Sequence, residues 1–485
     1  MRRPGNATER AIAAAGTIRK GNSMSAKRLS NVRSMWSAVS GRTARLAAAA
    51  VLLGCGPVFA EDWPQFRGGE ALGRADFAQV PTEWSGRSRL AWRTAIPGGG
   101  WSQPIVAGGR IFVTTAVGPG ADKLSGMGGV MSFSTWGMAS APKTPIQWRL
   151  VCLDPADGTI VWSKTIVEAV PKFGRHASNS YATETPCASD DTVYAFFGGT
   201  GTLVAVDREG NEKWRRSFGA QPIQNQFGTG SSLLLHRDPS GDRLFVQLYN
   251  DEIGRLHCLS AADGADLWMA DREKGTAWST PLVWNNAGVP EVVTAGQGSL
   301  IAYALDTGKE RWRLGGLDTS FACSVVADAD GVYFGTSSPG SRAPIAAIAA
   351  GHLGDLTLPK GKTTTDAVPW SKTKSGAGMP SPVVVGDLLY FFGDKAVCYD
   401  KRTGDEKYRK RMPDGTMAAG CPIVVGDRIY VVNEKGKTIV LATGPEFKVL
   451  AECPLDAADE VFWATPAVTD DALLIRSSQA VYCIR

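Results

Sequence analysis

Apolar residues along this chain come in short runs, each closed by a polar or Gly-rich turn and followed by a second short run. That spacing predicts strands joined by hairpins. Eight such pairs follow one another: SQPIVAGGRIFV from Ser102, ETPCASDDTVYAF from Glu184, SSLLLHRDPSGDRLFV from Ser231, STPLVWNNAGVPEVV from Ser279, ACSVVADADGVYFG from Ala322, PSPVVVGDLLYFF from Pro380, GCPIVVGDRIYVV from Gly420 and TPAVTDDALLIRS from Thr465. A second phrase stands behind most of them: an apolar run, an Asp or Ser, a turn, and a Gly followed four residues later by a large aromatic. It joins Gly158 to Trp162, Gly210 to Trp214, Gly264 to Trp268, Gly308 to Trp312 and Gly404 to Tyr408. A Gly that tolerates positive φ in a tight turn, then a strand carrying the aromatic, accounts for it.

Together the two phrases make a four-stranded antiparallel unit of roughly forty to fifty residues, which cannot bury both of its faces alone. The eighth unit reaches only its third strand, at Val481–Ile484, while Leu90-Ala91-Trp92-Arg93 reads as the tail of a unit with no head. Pairing the two closes a ring and removes its open edges. The expected fold is all-β: an eight-bladed β-propeller of four-stranded antiparallel blades, closed by an N-terminal strand, over residues 61–485. The repeated aromatic should lie flat against the next blade, with Trp92 doing so for blade eight. Blades five and seven depart from the pattern. Ala347–Ala350 lacks the Asp and the close aromatic, and Leu441–Gly444 leads to Phe447, so weaker contacts are expected there. Two insertions, 117–147 within blade one and 351–377 enlarging the outer part of blade five, should map to a face of the ring.

Charge changes the picture at the front. The formal charge is +5, but residues 1–60 hold ten Lys or Arg against one acidic residue, Glu9. Without them 42 basic groups face 46 acidic ones, a net charge of −4, and nothing in the body asks for nucleic acid. Arg42 and Arg45, the apolar run Leu46–Leu53 and small residues up to Ala60 read as an export signal cleaved after Ala60. The long front leaves Met24 and Met35 as alternative starts. Leu52-Leu53-Gly54-Cys55 is similar to a bacterial lipobox, so a lipid anchor at Cys55 is the alternative. No later segment holds eighteen consecutive apolar residues, so no transmembrane segment is expected. The expected place is the periplasm or the cell envelope, with an outer-membrane lipoprotein as the alternative.

Cys152, Cys258, Cys398 and Cys483 take the same strand position in four blades, where Ala304 stands in blade four. A position that accepts both Ala and Cys is a small buried slot, so reduced thiols are expected. The four histidines, His176, His236, His257 and His352, lack the close spacing of a zinc site.

Ala304–Trp312, ALDTGKERW, and the opening Trp63-Pro64-Gln65-Phe66-Arg67-Gly68 carry a resemblance. Over residues 62–485 the chain resembles the quinoprotein-like, or pyrroloquinoline-quinone-binding-like, propeller repeat family. One branch of that family is the quinone-dependent alcohol and sugar dehydrogenases, whose site has adjacent cysteines over the cofactor, an Asp base and a calcium or lanthanide ion. This chain has no adjacent cysteine pair and no C-x-x-C-H haem motif. The other branch is the propeller lipoprotein of the outer-membrane barrel assembly machinery, which presents blade loops to a partner.

In a propeller the first strands surround the channel, so polar and aromatic residues entering them are candidates for a ligand face. They are Trp101, Gln103, His176, Asn179, Glu184, Gln224, Asn225, Arg272, Trp278 and Trp463. Aromatic faces with amides suit a sugar or a peptide, and Arg272 with Glu184 would orient a polar group. The alternative has the Trp residues plugging the channel and the amides capping loop backbone. Asp271, Glu273 and Glu184 as paired carboxylates would imply a hydrolase, set below simple binding. The expected function is an exported, noncatalytic binding or scaffold propeller that presents its channel face, rather than its rim, to a protein, peptide or polysaccharide at the cell envelope. No cofactor is expected; the alternative is a dehydrogenase using pyrroloquinoline quinone with calcium.

Overall fold

The computed structural model describes residues 62–126, 138–317, 320–336, 344–373, 378–415 and 420–485. The leader, the cleavage point after Ala60 and Cys55 lie outside them. Eight sheets follow one another, each built as a four-stranded antiparallel meander. Blade one is Ile105–Ala107, Arg110–Val117, Ile146–Leu153 and Ile160–Ala169, its second and third strands separated by the 117–147 insertion. Blade eight runs Ala467–Val468, Leu473–Arg476 and Ala480–Ile484, and its outer strand is Leu90–Ala95. Trp92 stands opposite Cys483 there, so the N-terminal strand closes the ring.

The apolar core lies in layers between blades rather than at one centre. The repeated Gly and aromatic meet across these layers, but not within one phrase. A β-carbon on Gly264 of blade three would stand 2.8 Å from the Trp214 ring of blade two, and the Trp214 Nε1 donates to Ala261 O at 3.1 Å. The same pairing joins Trp92 to Gly158, Trp162 to Gly210, Trp268 to Gly308 and Trp370 to Gly404. Each Gly is the seat for the preceding blade's ring, and the ring's N–H closes the contact on the next blade's turn.

Trp370 corrects the expectation of a weak blade five. The 351–377 insertion brings it in from a distance, with Nε1 donating to Lys401 O at 2.8 Å. The insertion does not simply enlarge blade five: Gly354–Asp355 adds a parallel fifth strand to the outer edge of blade four. Blade seven is also corrected. Ala451, not Phe447, stands at the aromatic's position, opposite Val440. Phe447 instead receives Tyr408 of blade six at 5.6 Å, and Trp84 from the N-terminal segment joins the core cluster that Ala451 borders. The Cys slot lies opposite the aromatic in every case: Cys152 with Trp162, Cys258 with Trp268, Cys398 with Tyr408, Cys483 with Trp92. In blade four that slot is Ala302, not Ala304, because the Gly308 N–H returns to Ala304 O as Gly158 returns to Asp154 O. The eight described cysteines are buried and unpaired, and burial pushes the Cys152 and Cys258 thiols up to about 12.

Around the channel, the residue two positions before each first strand's apolar start makes a belt. Backbone N–H groups donate to the next blade's side chain: Gln103 to Thr185, Thr185 to Ser232, Ser232 to Thr280, Thr280 to Ser324, Ser324 to Ser381, Ser381 to Cys421 and Cys421 to Thr465. At the seam between blades eight and one the Gln103 amide bridges instead, donating to Pro466 O and accepting from the Arg67 N–H at 2.7 Å. Arg476 reinforces this seam with donations to Ser102 O at 2.9 Å and Thr114 O at 2.8 Å, while burial pushes its guanidinium down to about 9.

The opening motif fills the far mouth of the channel. Trp63 O accepts from Val106 of blade one, Pro64 O from Ala188 of blade two, and Gln65 Oε1 from Leu235 of blade three. Arg67 donates to Pro382 O of blade six, Arg74–Ala75 pairs parallel with Val424–Val425 of blade seven, and the Gln79 N–H reaches Asp470 O of blade eight. Residues 62–80 thus circle the mouth before the chain enters the outer strand of blade eight.

Candidate functional site at the channel entrance

The loops that lead into the first strands lie at the end of the channel away from the N-terminal plug, and they carry the aromatic candidates. Trp101 is 6% exposed, with its backbone N–H on Ala182 O and its Nε1 on Ser178 O at 2.9 Å. The half-buried Trp463 ring lies 6.3 Å from it and donates to Glu434 Oε1 at 2.8 Å. His176 faces Ser178 through Nδ1 and the Ser178 hydroxyl, 2.6 Å apart. Its ring lies 5.2 Å from Phe227, which meets Trp278 edge-on at 6.1 Å. Trp278 is half-buried and donates to Gly228 O at 2.7 Å. The structure therefore brings Trp463, Trp101, His176 and Trp278 into one arc, with Ser178 and Phe227 as its links.

Phe227 and Ser178 were not singled out by sequence. Phe227 precedes Gly228-Thr229-Gly230, three residues ahead of the Ser231 phrase, and could have been found as a fourth aromatic beside a first strand. Ser178 carried no signal.

The other candidates divide. The Asn179 amide serves the loops, donating to Phe227 O at 2.8 Å and Thr229 O at 3.1 Å and accepting from Ser180 and Thr183. Gln103 is buried in the seam already described. Gln224 and Asn225 lie in the short turn Gln224–Gln226, where Asn225 is exposed with a φ of 51°. Arg272 and Glu184 do not pair. Arg272 lies over the Tyr249 ring at 4.3 Å and donates to Tyr249 Oη, Thr294 Oγ1 and Ser299.

Glu184 is 1% exposed, and burial raises its pKa against the pull of hydrogen bonds from Thr229 and the Gly198 N–H. Glu184 lines a cavity of about 20 Å³ with Gln247, room for a single water. Asp271 is exposed and bonded to Arg255 at 2.5 Å, and Glu273 is exposed, so neither forms a carboxylate dyad with the buried Glu184. Among the described residues no group of three or more His, Cys, Asp or Glu is gathered as a metal cluster.

The blade-one insertion joins this face. Met138–Ala139 pairs antiparallel with Arg175–His176, and the Ser125 N–H donates to Ala177 O. Arg175, buried and with its pKa lowered by desolvation, holds the insertion through Lys123 O at 2.8 Å and Gly120 O at 3.1 Å. The face combines aromatic surfaces, polar atoms committed to backbone, and a loop pinned beside them. No helix among the described residues is long and apolar enough to cross a membrane.

Comparison with known proteins fits this architecture. The family model described as outer membrane protein assembly factor BamB matches residues 82–227, 199–366 and 349–446. Outer membrane protein assembly factor BamB of Shewanella oneidensis is 27% identical over 184 residues, covering 37% of this chain and 43% of that relative. The match thus spans less than half of the relative's length. Among solved structures, quinohemoprotein alcohol dehydrogenase from Comamonas testosteroni has a TM-score of 0.56 at 11% identity, over 87% of this chain and 80% of that one. BamB from Moraxella catarrhalis has a TM-score of 0.47 at 15% identity, over 76% and 98%. The dehydrogenase likeness is one of fold. With matches that together span residues 82–446, the chain belongs to the outer membrane protein assembly factor BamB family of propeller-repeat proteins.

Proposed function

We propose that this protein is an exported, noncatalytic scaffold of the cell envelope that presents its channel-entrance arc to a partner protein. The observation that carries the reading is the asymmetry of that arc. Most rim aromatics repeat at a fixed spacing and seat on the next blade's turn, whereas Trp463, Trp101, His176, Phe227 and Trp278 lead into blades eight, one, two, three and four and follow no fixed spacing. Their polar atoms are held by neighbouring loops, and the half-buried Trp463, Phe227 and Trp278, resting on the buried Trp101 and His176, keep apolar surface of the kind that anchors protein interfaces. Family membership supports the same class, since the relatives are named as assembly factors for outer membrane proteins.

Cross-linking in intact envelopes, with Trp278→Ala beside the parent, tests the reading. The variant should keep its melting temperature and lose the parent's cross-linked protein, a loss of about 1–3 kcal/mol for an interfacial Trp. Equal capture by both chains would sink the proposal, and capture of a polysaccharide alone would redirect it. Export is tested by mass spectrometry of the mature N-terminus. Glu61 as the first residue is expected, and a lipidated Cys55 would instead mean anchoring. The dehydrogenase alternative is tested by reconstitution with pyrroloquinoline quinone and calcium, with no substrate-dependent dye reduction expected.

A further inference from the structure

Between blades two and three two buried side chains carry oxygens that the fold does not use. Glu184 leads into the first strand of blade two, and Gln247 stands in the second strand of blade three, Arg243–Tyr249. They are 1% and 4% exposed, and both line the cavity of about 20 Å³. Gln247 Nε2 donates to Ser279 O at 2.9 Å and Ala295 O at 3.4 Å, which fixes the amide and leaves Oε1 an acceptor with no partner. Glu184 Oε1 accepts from the Gly198 N–H, and its Oε2 has no partner either. Among the described residues no Lys, Arg or His faces this carboxyl, whose surroundings are hydrogen bonds and burial alone. Two unpaired buried acceptors cost free energy, and a carboxylate without a counter-charge costs more. A proton would neutralise Glu184 alone. A cation between the two would serve both oxygens.

We propose that this cavity binds a dehydrated monovalent metal cation, of the sodium and potassium class, through Glu184 Oε2 and Gln247 Oε1. Charge sets the valence. Glu184 is the only charged residue lining the cavity, so a single positive charge balances it. Ligand number agrees: Thr229 and Ser231 add hydroxyl oxygens to the lining while Phe196 and Leu248 present carbon, and calcium takes about six to eight oxygens. Size agrees as well, since the space suits an occupant as large as one water. This site is separate from the aromatic faces of the channel-entrance arc, and it stands or falls independently of the function proposed for them.

The test melts the parent protein at pH 8 in chloride of constant ionic strength, with tetramethylammonium replaced stepwise by sodium or potassium. Tetramethylammonium is too large for the cavity, so there the carboxylate lacks its counter-charge. The parent's melting temperature should climb with the metal cation and saturate about 2–3 °C higher, the effect of a ligand at roughly a hundred times its Kd. Glu184→Gln keeps an acceptor for the Gly198 N–H and should show no saturating climb. The margin by which it outmelts the parent in tetramethylammonium should therefore narrow as metal cation is added. At pH 4.5 the parent's response should shrink, because protons compete for the same carboxylate. Crystals soaked in thallium(I) acetate should show an anomalous peak between Glu184 and Gln247 that crystals of Glu184→Gln lack. The absence of a saturating climb in the parent, an equal climb in Glu184→Gln, or no thallium peak overturns the proposal and leaves the cavity to a proton and a water. An equal response to calcium at a hundredth of the sodium concentration overturns the monovalent assignment.

Discussion

Gly264 answers two demands at once, and they can be separated. Its φ of 73° is left-handed, and its missing β-carbon leaves room for the Trp214 ring. Gly109 has a similar φ of 70° but nothing within 4 Å of where a β-carbon would stand. Gly109→Ala should therefore cost only the backbone term, about 1–2 kcal/mol, whereas Gly264→Ala should cost about 2–4 kcal/mol once the ring must shift. Equal losses in urea unfolding would show that the ring contact adds nothing. Glu184 makes a second residue-scale case, through pH. Its carboxyl pKa is raised in the fold by burial, so the folded chain holds this proton more tightly than the unfolded one. The contribution to stability is most favourable below the unfolded pKa, and it falls as pH rises through the folded pKa. Glu184→Gln removes that loss while keeping an acceptor for the Gly198 N–H. Its melting temperature should exceed the parent's by an amount that grows from pH 4.5 upward, and a constant difference across pH would refute this.

At the scale of elements, the blade interface is a Trp ring of one blade seated on the next blade's turn, and the sequence made this only half visible. The spacing within each phrase located both partners and set the aromatic against the next blade, but a one-dimensional repeat cannot say which residue of that blade the ring meets. Trp370 was missed for a related reason. It stands in an insertion, far from its blade's third strand, so no fixed spacing announced it. Its Nε1 bond to Lys401 O and its seat on Gly404 match the docking of Trp268, so Trp370→Ala should cost about 3–5 kcal/mol in a thermal or urea melt, as Trp268→Ala should. A loss below about 1 kcal/mol would return blade five to the weak interface its sequence suggests. The candidate site was legible where aromatics interrupt the repeat, as at Trp101, Trp278 and Trp463. It was illegible where an amide or a carboxyl sits in a first strand. Whether Gln103 faces a ligand or a neighbouring backbone depends on the closing seam, which involves Pro466 and Arg67 from the two ends of the chain.

For the whole molecule, the opening Trp-Pro-Gln-Phe-Arg-Gly was legible as a family mark and silent as a structural part. Its residues reach blades one, two, three and six by one or two hydrogen bonds each, and only the assembled ring brings those acceptors and donors together. A chain starting at residue 81 keeps the closing strand Leu90–Ala95 but loses the plug. It should be less stable than a chain starting at residue 61 by at least about 3 kcal/mol, the scale of removing one buried Trp. A synthetic peptide of residues 61–80 should restore part of the loss, and an unchanged melting temperature in the truncated chain would show that the plug is only a tether.

The closing strand also sets a schedule. Arg93 and Tyr482 are hydrogen-bonded neighbours separated by 389 residues of chain. A polypeptide delivered from its N-terminus releases the first of these early and must wait for the other seven blades before its edge is met. Until then an unpaired strand remains exposed, and the expected slow event in folding is the meeting of two segments far apart in time as well as in sequence. The Arg485 N–H donates to Arg89 O at 2.8 Å, so the two ends of this schedule finish side by side. A circular permutant that moves residues 62–95 behind Arg485 through a short Gly-Ser linker would make blade eight contiguous. It should refold faster than the natural order and unfold at the same rate, and unchanged refolding would mean that ring closure was never the delay.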